Sequence, residues 1–367
     1  MDENDKKIQE LIDSSFISSY LEDEDITDIR YNGTDLRLKH KIRGPIKPEK
    51  QPTLEEVQTL IRRMADFQGK GFTDTEAILD TQFGILRVNA VHTAGSPFGT
   101  TMALRVSRAR KAMNDLSDVS TKDVGLLLEV FIKAGISIVL SGMTGSGKTE
   151  VQKMLVGFID DDTTISLIED TMDSHIKELY PLKDINSWRI LDGDDRTKKF
   201  TGSDFIKAGL RNDSDWILIS EIRDPEESYE MVQSALTGHS MLTTLHASKA
   251  GDIPSRLLNM IGQKYSINEL LFGKDIVSTI PIGIHMEQDI NENGEIIRYI
   301  REIVEFTDFN EQGAISQPIY QVKNVYVSGD EYNTVRETYP ISERMTKLLQ
   351  DKKMFHLLPD AFRLKKG

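Results

Sequence analysis

The 367-residue sequence contains no cysteine and no long run of apolar residues. The lack of cysteine excludes disulfides and any cysteine-ligated zinc site. The longest apolar runs, such as Ile136–Leu140, are far too short to span a bilayer. The first segment, MDENDKKIQE, is polar and acidic, which is not the composition of a signal peptide. We therefore expect a cytoplasmic protein.

Basic residues are also in short supply: 45 lysines and arginines stand against 59 aspartates and glutamates, so the formal net charge is −14. Unspecific nucleic-acid binding normally requires a basic surface. The one dense basic cluster is RVSRARK, Arg105–Lys111, which we interpret as a solvated linker between domains. Direct nucleic-acid binding is therefore disfavoured, although a local basic groove stays open as an alternative.

Glycine, by contrast, is concentrated in GMTGSGKT, Gly142–Thr149, with three glycines in six residues. A short β-branched run before this segment predicts a strand, and apolar residues at helical spacing over Thr149–Ile159 predict a helix. The segment fits the phosphate-loop pattern G-x-x-x-x-G-K-[ST], in which glycines let successive backbone N–H groups point at phosphate oxygens. The alternative is a glycine turn with a chance lysine. We predict nucleotide binding.

The same pattern predicts which residues hold the nucleotide. The Lys148 ammonium can reach the β- and γ-phosphates, and the Thr149 hydroxyl can ligate Mg²⁺. The N-terminus of the helix that follows adds positive charge. The expected nucleotide-binding residues are Gly142, Thr144, Gly145, Ser146, Gly147, Lys148, Thr149 and Glu150.

Residues 1–110 predict a small α+β domain. An amphipathic helix over residues 1–20 precedes a hairpin that turns at Asn32-Gly33. A helix follows at Thr53–Phe67, and the alternating segments GILRVNAVHT and TTMALRVS predict two strands. Periodicity lapses around residues 111–120, which we interpret as a linker.

From residue 121 onward, helices alternate with short apolar strands, which predicts an α/β domain with a mostly parallel sheet covered on both faces. The segments TTISLIED, WILISEI and SMLTTLH predict strands, and Pro225–Leu236 and Ile253–Ile261 predict helices. After residue 275 the chain reads as strand-rich, beginning with IVSTIPIGIHMEQ, and it ends in a basic helical tail. We expect this domain over 121–310 and a C-terminal extension over 311–367.

Two of these predicted strands end in acids. Glu221 follows WILIS, and Glu169 and Asp170 close TTISLIED. Ligands of open α/β sheets bind at the carboxyl ends of the strands, where such acids can hold a metal-bound water or orient the attacking water. If Glu221 is considered alone, the alternative to a catalytic role is a surface acid that pairs with Arg223. Two strands that deliver carboxylates to one edge favour a catalytic role.

His239 begins the predicted strand around SMLTTLH and His246 ends it, seven residues on, so alternation directs them to opposite faces. A lone histidine is more often structural than catalytic. Because His246 stands at the carboxyl end of its strand, we expect it to contact the γ-phosphate. We expect His239 to buttress or touch a neighbour.

Four motifs in this order resemble the type II/type IV secretion ATPases, the motors of secretion, pilus assembly and retraction, and conjugation. They are the Walker A loop, an Asp box (IEDTMD, Ile168–Asp173), a Walker B stretch (Leu210–Asp224) and a His box (TGHSMLTTLHA, Thr237–Ala247). In the first domain, DITDIRYNG, LRVN and ALRV look like the conjugation and Tad-pilus branch. The resemblance implies a RecA-like P-loop NTPase domain preceded by the smaller α+β domain.

The resemblance also implies roles for single residues. Glu221 becomes the Walker B glutamate and Glu169 the Asp-box glutamate, and which of the two positions the water stays open. Arg87 and Arg105 match the arginines with which the first domain closes over nucleotide, although solvent-facing arginines predict the same alternation. The implied catalytic residues are Glu221, Glu169, Lys148, His246, Arg87 and Arg105, and the implied metal ligands are Thr149, Glu221 and Glu169.

The chain departs from the family pattern in three ways. Ser220 stands where glycine is common, Asp173 stands where the Asp box often has glutamate, and the four-cysteine zinc module of many members is absent. These departures favour the conjugation, Tad or retraction side of the family.

The function implied is ATP hydrolysis, with Mg²⁺, by a homohexameric ring at the cytoplasmic face of the membrane. The ring would power a secretion, conjugation or pilus machine, with inner-membrane components of that machine as partners and peripheral membrane attachment allowed. One alternative is a RecA-like nucleic-acid translocase, which the acidic net charge disfavours. Another is a nucleotide-gated assembly subunit with little turnover, which the presence of both Glu169 and Glu221 disfavours. A small-molecule kinase is the weakest option, since no acceptor-site signature is found.

Overall fold

A computed structural model describes residues 3–191, 200–328 and 331–364. The chain divides into two compact units, Met1–Arg108 with Asp289–Ile297 and Ala109–Gln288 with Arg298–Gly367. The domain bounds expected from the sequence stay predictions. Residues 1–2 of the predicted first domain and residues 365–367 of the predicted C-terminal extension lie outside the described part.

The described part of the first unit contains an antiparallel sheet with strand order β3-β2-β1-β6-β5-β4. Its elements are α1 (Glu3–Asp13), α2 (Ser18–Leu21), β1 (Ile26–Tyr31), β2 (Leu36–His40), β3 (Gly44–Ile46), α3 (Leu54–Phe67), β4 (Ile78–Phe83), β5 (Leu86–Val91) and β6 (Thr101–Val106).

Local sequence signals explain the elements of this unit that were predicted. Helix α3 begins at a capping box, in which Thr53 and Glu56 satisfy each other's backbone N–H groups. The β1–β2 turn is held by the Asn32 side chain, which accepts from two backbone N–H groups, and by Gly33 at φ +99°. The predicted hairpin and helix are thus confirmed. The sequence did not predict β4, because its apolar residues do not alternate cleanly and Ile78 is 69% exposed.

The elements from residue 109 onward form the second unit, apart from the strand ends that fall within 289–297. They are α4 (Lys122–Lys133), β7 (Ile138–Gly142), α5 (Lys148–Val156), β8 (Ile165–Glu169), α6 (Ile176–Leu179), β9 (Ile185–Arg189), α7 (Gly202–Gly209), β10 (Trp216–Ile219), α8 (Pro225–Leu236), β11 (Ser240–Leu245), α9 (Ile253–Ile261), α10 (Glu269–Thr279), β12 (Ile282–Ile290), β13 (Ile296–Asn310), β14 (Gly313–Ser328), β15 (Glu331–Thr338) and α11 (Glu343–Asp351).

The sheet of this unit has the order β15-β14-β13-β12-β7-β11-β10-β8-β9. Strands β12, β7, β11, β10, β8 and β9 pair in parallel, and β13, β14 and β15 pair antiparallel. Ile138 and Leu140 pack into one hydrophobic cluster, while Val139 between them packs into another. The predicted parallel sheet, buried on both faces, is therefore confirmed. Among the described helices, none combines the length and apolar character needed to cross a membrane.

One stretch predicted as strand-rich is partly helical. In IVSTIPIGIHMEQ, the first four residues complete α10, and β12 begins only at Ile282. The Asn268 side chain caps α10 at Leu271 N–H, and Phe272 and Ile276, one turn apart, are buried. This cap and buried stripe favour the helix until Pro281. The prediction of a strand there was wrong because the apolar run was read without its cap.

Candidate active site

The glycine loop lies on a strand-to-helix turn, as predicted. Strand β7 is buried along its whole length and ends at Gly142, and α5 begins at Lys148. Gly142, Gly145 and Gly147 have φ values of +144°, +86° and +97°, which side-chain-bearing residues rarely adopt. A Cβ at Gly142 would also collide with the backbone carbonyl of Met286. The motif therefore requires glycine for both conformation and space.

Two side chains in the loop have the chemistry of a phosphate site. The Lys148 ammonium is almost fully buried and donates to the carbonyls of Gly142, at 2.8 Å, and Met143, at 3.2 Å. Burial lowers the pKa of Lys148, while the charge of Glu221 opposes that shift. The Ser146 hydroxyl is buried without a hydrogen-bond partner among the described residues. A buried, unpaired hydroxyl beside a buried cation fits an anionic ligand.

Glu221 lies two residues beyond β10, at the carboxyl edge of the sheet, and its side chain is 16% exposed. Its carboxylate accepts from Arg223 Nη2 at 2.7 Å and lies 2.9 Å from His246 Nε2. Burial raises the pKa of Glu221, but Arg223, His246 and Lys148 together outweigh burial and hold that pKa below its usual value. Glu221 is therefore held as a carboxylate beside the loop.

His246 connects this carboxylate to the phosphate loop. It follows β11, and its Nδ1 lies 3.0 Å from the Gly142 carbonyl, which also accepts from Lys148. Lys148 and His246 thus meet at one loop carbonyl, and His246 in turn contacts Glu221. His239, on the other end of β11, lies 3.0 Å from the Thr237 hydroxyl through its Nδ1. The two histidines have different neighbours, as the sequence predicts.

The acids that close β8 have two different environments. Glu169 is 1% exposed, its carboxylate accepts from Ser174 N–H at 3.3 Å, and burial raises its pKa to about 7. Asp170 instead accepts from Arg223 at 3.1 Å, so Arg223 connects Asp170 to Glu221. Since β8 and β10 are parallel neighbours, both predicted strand ends do meet at one edge. The alternative pairing of Glu221 with Arg223 is present as well.

Arg87 and Arg105 belong to the first unit and lie opposite each other on β5 and β6. Their neighbours Val88 and Leu104 are buried on the other face of the sheet. Arg105 Nε lies 3.8 Å from a carboxylate oxygen of Asp28, its cross-strand neighbour on β1. The structure therefore brings the two predicted arginines together on the face opposite the core.

Glu150, predicted to bind nucleotide, is engaged within the protein. Its carboxylate accepts from Lys153 Nζ and from the Ala112 N–H, both at 2.8 Å. Thr144 and Gly145 are exposed, and Thr149 is half-buried at the first turn of α5. Whether these residues contact nucleotide stays a prediction.

Sequence reasoning missed two side chains that hold the loop and its helix. Gln152 is fully buried and donates to the carbonyls of Ile219 and Leu242, which fixes α5 to β10 and β11. Arg298, on β13, donates through Nε to the Gly145 carbonyl at 2.8 Å. A glutamine within an apolar helix face was a usable signal for Gln152. No local pattern marks Arg298, because its contact is with a residue far away in the sequence.

A cluster of potential metal ligands, Asp23, Asp25 and His40, lies in the first unit. His40 Nδ1 accepts from the backbone N–H groups of Ile42 and Arg43, each at 3.1 Å. In the neutral ring the other nitrogen, Nε2, then carries the hydrogen and cannot ligate a metal. This histidine is better explained as the residue that orders the β2–β3 turn.

A buried strand, a glycine loop at positive φ and carboxylates at neighbouring strand ends define a P-loop NTPase domain. The family model described as type II/IV secretion system protein matches residues 1–279. The chain belongs to this family, which confirms the resemblance inferred from the four motifs.

Individual relatives agree with this assignment. An uncharacterized protein of Bacillus anthracis is 34% identical over 82% of this chain and 69% of its own length. Type II secretion system protein E of Pseudomonas aeruginosa is 26% identical over 67% of this chain, which spans 50% of that relative's length. The structure of the Legionella pneumophila ATPase DotB aligns with a TM-score of 0.59 at 20% identity, covering 81% of this chain and 80% of that one. This likeness confirms the predicted fold class, a RecA-like domain preceded by a smaller α+β domain.

Proposed function

We propose that this protein is an ATPase that binds ATP and Mg²⁺ at the carboxyl edge of its parallel sheet. Hydrolysis would power a secretion, conjugation or pilus machine. The observation that carries the proposal is that Lys148 and His246 both contact the Gly142 carbonyl while His246 also contacts Glu221. Membership of the type II/IV secretion family supports it, as do relatives named as a secretion protein and an ATPase.

In this proposal the loop holds the phosphates and the strand ends supply the acids. The buried Ser146 hydroxyl and the Lys148 ammonium meet the phosphate oxygens. The Thr149 hydroxyl and Glu221 would hold Mg²⁺, which neutralises phosphate charge when it is bound. Glu169 would join them only in its ionised form, since burial raises its pKa to about 7. Of the two acids, Glu221 is the better candidate for orienting water, because its pKa is held low whereas that of Glu169 is raised to about 7.

The working assembly is proposed to be a homohexameric ring at the cytoplasmic face of the membrane, in contact with inner-membrane components of its machine. Arg87 and Arg105 would supply positive charge to the γ-phosphate. Two residues of the basic cluster are engaged within the protein, which supports a role other than nucleic-acid binding: Arg108 donates to the carbonyls of Leu21, Glu24 and Ile26, and Lys111 lies over the Tyr180 ring at 4.5 Å.

The proposal is tested by phosphate release from purified full-length protein, with and without Mg²⁺, and by its mass in solution with ADP and ATP. We expect Mg²⁺-dependent hydrolysis and a nucleotide-bound species of six subunits. Phosphate release no greater than that of Lys148→Ala would overturn the enzymatic proposal. Stimulation by DNA but not by membrane vesicles would favour the translocase alternative.

A further inference from the structure

The phosphate loop is in contact with a side chain that no recognised motif contains. Arg298 Nε donates to the Gly145 carbonyl at 2.8 Å. Its Cδ lies 3.3 Å from the position that a Cβ on Gly147 would occupy. One arginine therefore covers the loop from Gly145 to Gly147, the two glycines that lead into α5.

This contact complements the way the loop is held at its other end. Gly142 lies opposite Met286 in the β7–β12 register and packs closely against the Met286 backbone. Between Gly142 and Lys148 the chain has three glycines at positive φ, which have the largest conformational freedom to lose. A phosphate loop binds with its N–H groups turned inward. A donor on a loop carbonyl, such as Arg298 at Gly145, removes part of this conformational freedom before nucleotide binds.

Glu150 is a negative charge that acts on the Arg298 guanidinium. Burial lowers the pKa of Arg298, and the Glu150 carboxylate opposes that shift by favouring the charged guanidinium. Glu150 is itself fixed by Lys153 Nζ and the Ala112 N–H. These contacts give Glu150 a role that does not involve touching nucleotide.

We propose that Arg298 is a positioning residue that preorganises the phosphate loop, so that nucleotide affinity depends on it and the rate of hydrolysis does not. The proposal rests on the function proposed above, since it assumes that the loop binds nucleotide phosphates. A hydrogen bond to a charged donor is stronger than a neutral one. ADP and ATP use the same loop, so both should lose affinity to the same extent. A residue that touched the γ-phosphate would instead affect ATP alone.

The test compares Arg298→Gln with Arg301→Gln in the full-length protein. Arg301 is on the same strand and pairs with Glu287 at 3.7 Å. Arg301→Gln therefore removes one guanidinium from the same strand and serves as the matched control. Affinities for fluorescent ADP and ATP analogues, kcat, and hydrogen exchange of amides 142–149 are measured for each. We expect Arg298→Gln to weaken both nucleotides about tenfold, equivalent to about 1.4 kcal/mol. Its kcat should stay within about twofold, and exchange in the nucleotide-free loop should become faster. Arg301→Gln should match the wild type.

Several outcomes would overturn the proposal. They are unchanged affinity and exchange in Arg298→Gln, a loss confined to ATP, and a fall in kcat at unchanged affinity. If Arg298→Gln does not fold, Arg298→Lys decides, because it keeps the charge but changes the donor geometry. The affinity of Arg298→Lys for both nucleotides should lie between that of the wild type and the tenfold weaker value expected for Arg298→Gln. Wild-type affinity in Arg298→Lys would contradict the proposal. Failure of the wild type to bind either nucleotide would instead remove the proposed function, so the two failures are distinguishable.

Discussion

His246 Nε2 lies 2.9 Å from a carboxylate oxygen of Glu221, and the two residues follow the neighbouring strands β11 and β10. The other nitrogen of the same ring lies 3.0 Å from the Gly142 carbonyl. A single imidazole therefore connects the start of the phosphate loop to the acid on β10, and a change at either end alters the contacts of the other.

Lys148→Ala should abolish hydrolysis and greatly weaken ATP binding, because it removes the buried cation that would meet the terminal phosphates. Binding of a fluorescent ATP analogue and steady-state phosphate release measure the two effects. Lys133→Ala is the matched control, since that lysine pairs with Glu129 on the surface of α4. Wild-type affinity and turnover in Lys148→Ala would contradict the assignment of the loop.

Glu221→Gln should still bind ATP, but its turnover should fall at least tenfold, about 1.4 kcal/mol of barrier. The amide keeps the shape of the side chain and can still contact His246 and Arg223, but it lacks the charge that those two residues hold in place. Single-turnover hydrolysis separates this loss from any change in binding. If Glu221→Gln hydrolyses ATP normally, Glu169 becomes the better candidate for positioning water. If both single variants stay active, the role assigned to the strand-end acids is wrong.

Glu169 predicts an unusual pH dependence of stability. Burial raises its pKa from 4.5 to about 7, so between these values the folded protein binds more protons than the unfolded chain. Stability therefore falls as pH rises through this window, the reverse of a carboxylate in an ion pair. A pKa shift of this size lowers the free energy of unfolding by at most about 3 kcal/mol at pH 8, relative to its value at low pH. Denaturant unfolding at pH 5 to 8, without metal or nucleotide, measures it.

Glu169→Gln should be more stable than the wild type at pH 8 and should show a flatter pH dependence. Flattening should be partial, because burial also raises the pKa of Glu227 to about 7 and gives a second slope of the same sign. An unchanged slope in Glu169→Gln would contradict the buried, protonated state of this side chain.

The sequence predicted the elements whose signals are local. The capping box at Thr53 and Glu56 gives the start of α3, and helices α8 and α9 have the predicted bounds. The end of α10 was missed because the cap at Asn268 was overlooked, and strand β4 was missed because its apolar residues do not alternate cleanly. Burial of Phe272 and Ile276 decides the first case, and pairing with β5 decides the second.

The candidate site shows the same division. Lys148, Glu221 and His246 could be predicted because each follows or precedes a recognisable strand, and parallel strands bring their carboxyl ends to one edge. The pairing of Arg223 with both Asp170 and Glu221 could be predicted only in part, since strand order decides which ends are neighbours. The contact of Arg298 with the loop could not be predicted at all. Arg298 lies on β13, which pairs antiparallel with β14, so the rule for the carboxyl ends of parallel strands does not apply to it, and no sequence motif places a β13 side chain beside the loop.

Arg87 and Arg105 are the two predicted catalytic residues that belong to the first unit. They lie opposite each other on one face of the first-unit sheet, and Asp28 lies within 3.8 Å of Arg105. If this face supplies positive charge to the γ-phosphate, each arginine stabilises charge that develops during hydrolysis. Arg87→Ala and Arg105→Ala should therefore bind ADP nearly normally, because ADP lacks that phosphate, and hydrolyse ATP at least tenfold more slowly. ADP affinity and kcat measure the two effects.

The matched control is Arg37→Ala. Arg37 lies on β2 of the same sheet and pairs with Asp35 at 3.5 Å. Its substitution therefore removes an exposed arginine without altering the Arg87–Arg105 pair. It should hydrolyse ATP at the wild-type rate. Asp28→Asn adds a second comparison, since it removes the carboxylate beside Arg105 and keeps both arginines. A smaller loss of kcat than in Arg105→Ala is expected there, because Asp28 acts only by orienting the guanidinium. Wild-type turnover in both arginine variants would return Arg87 and Arg105 to the role of solvent-facing residues.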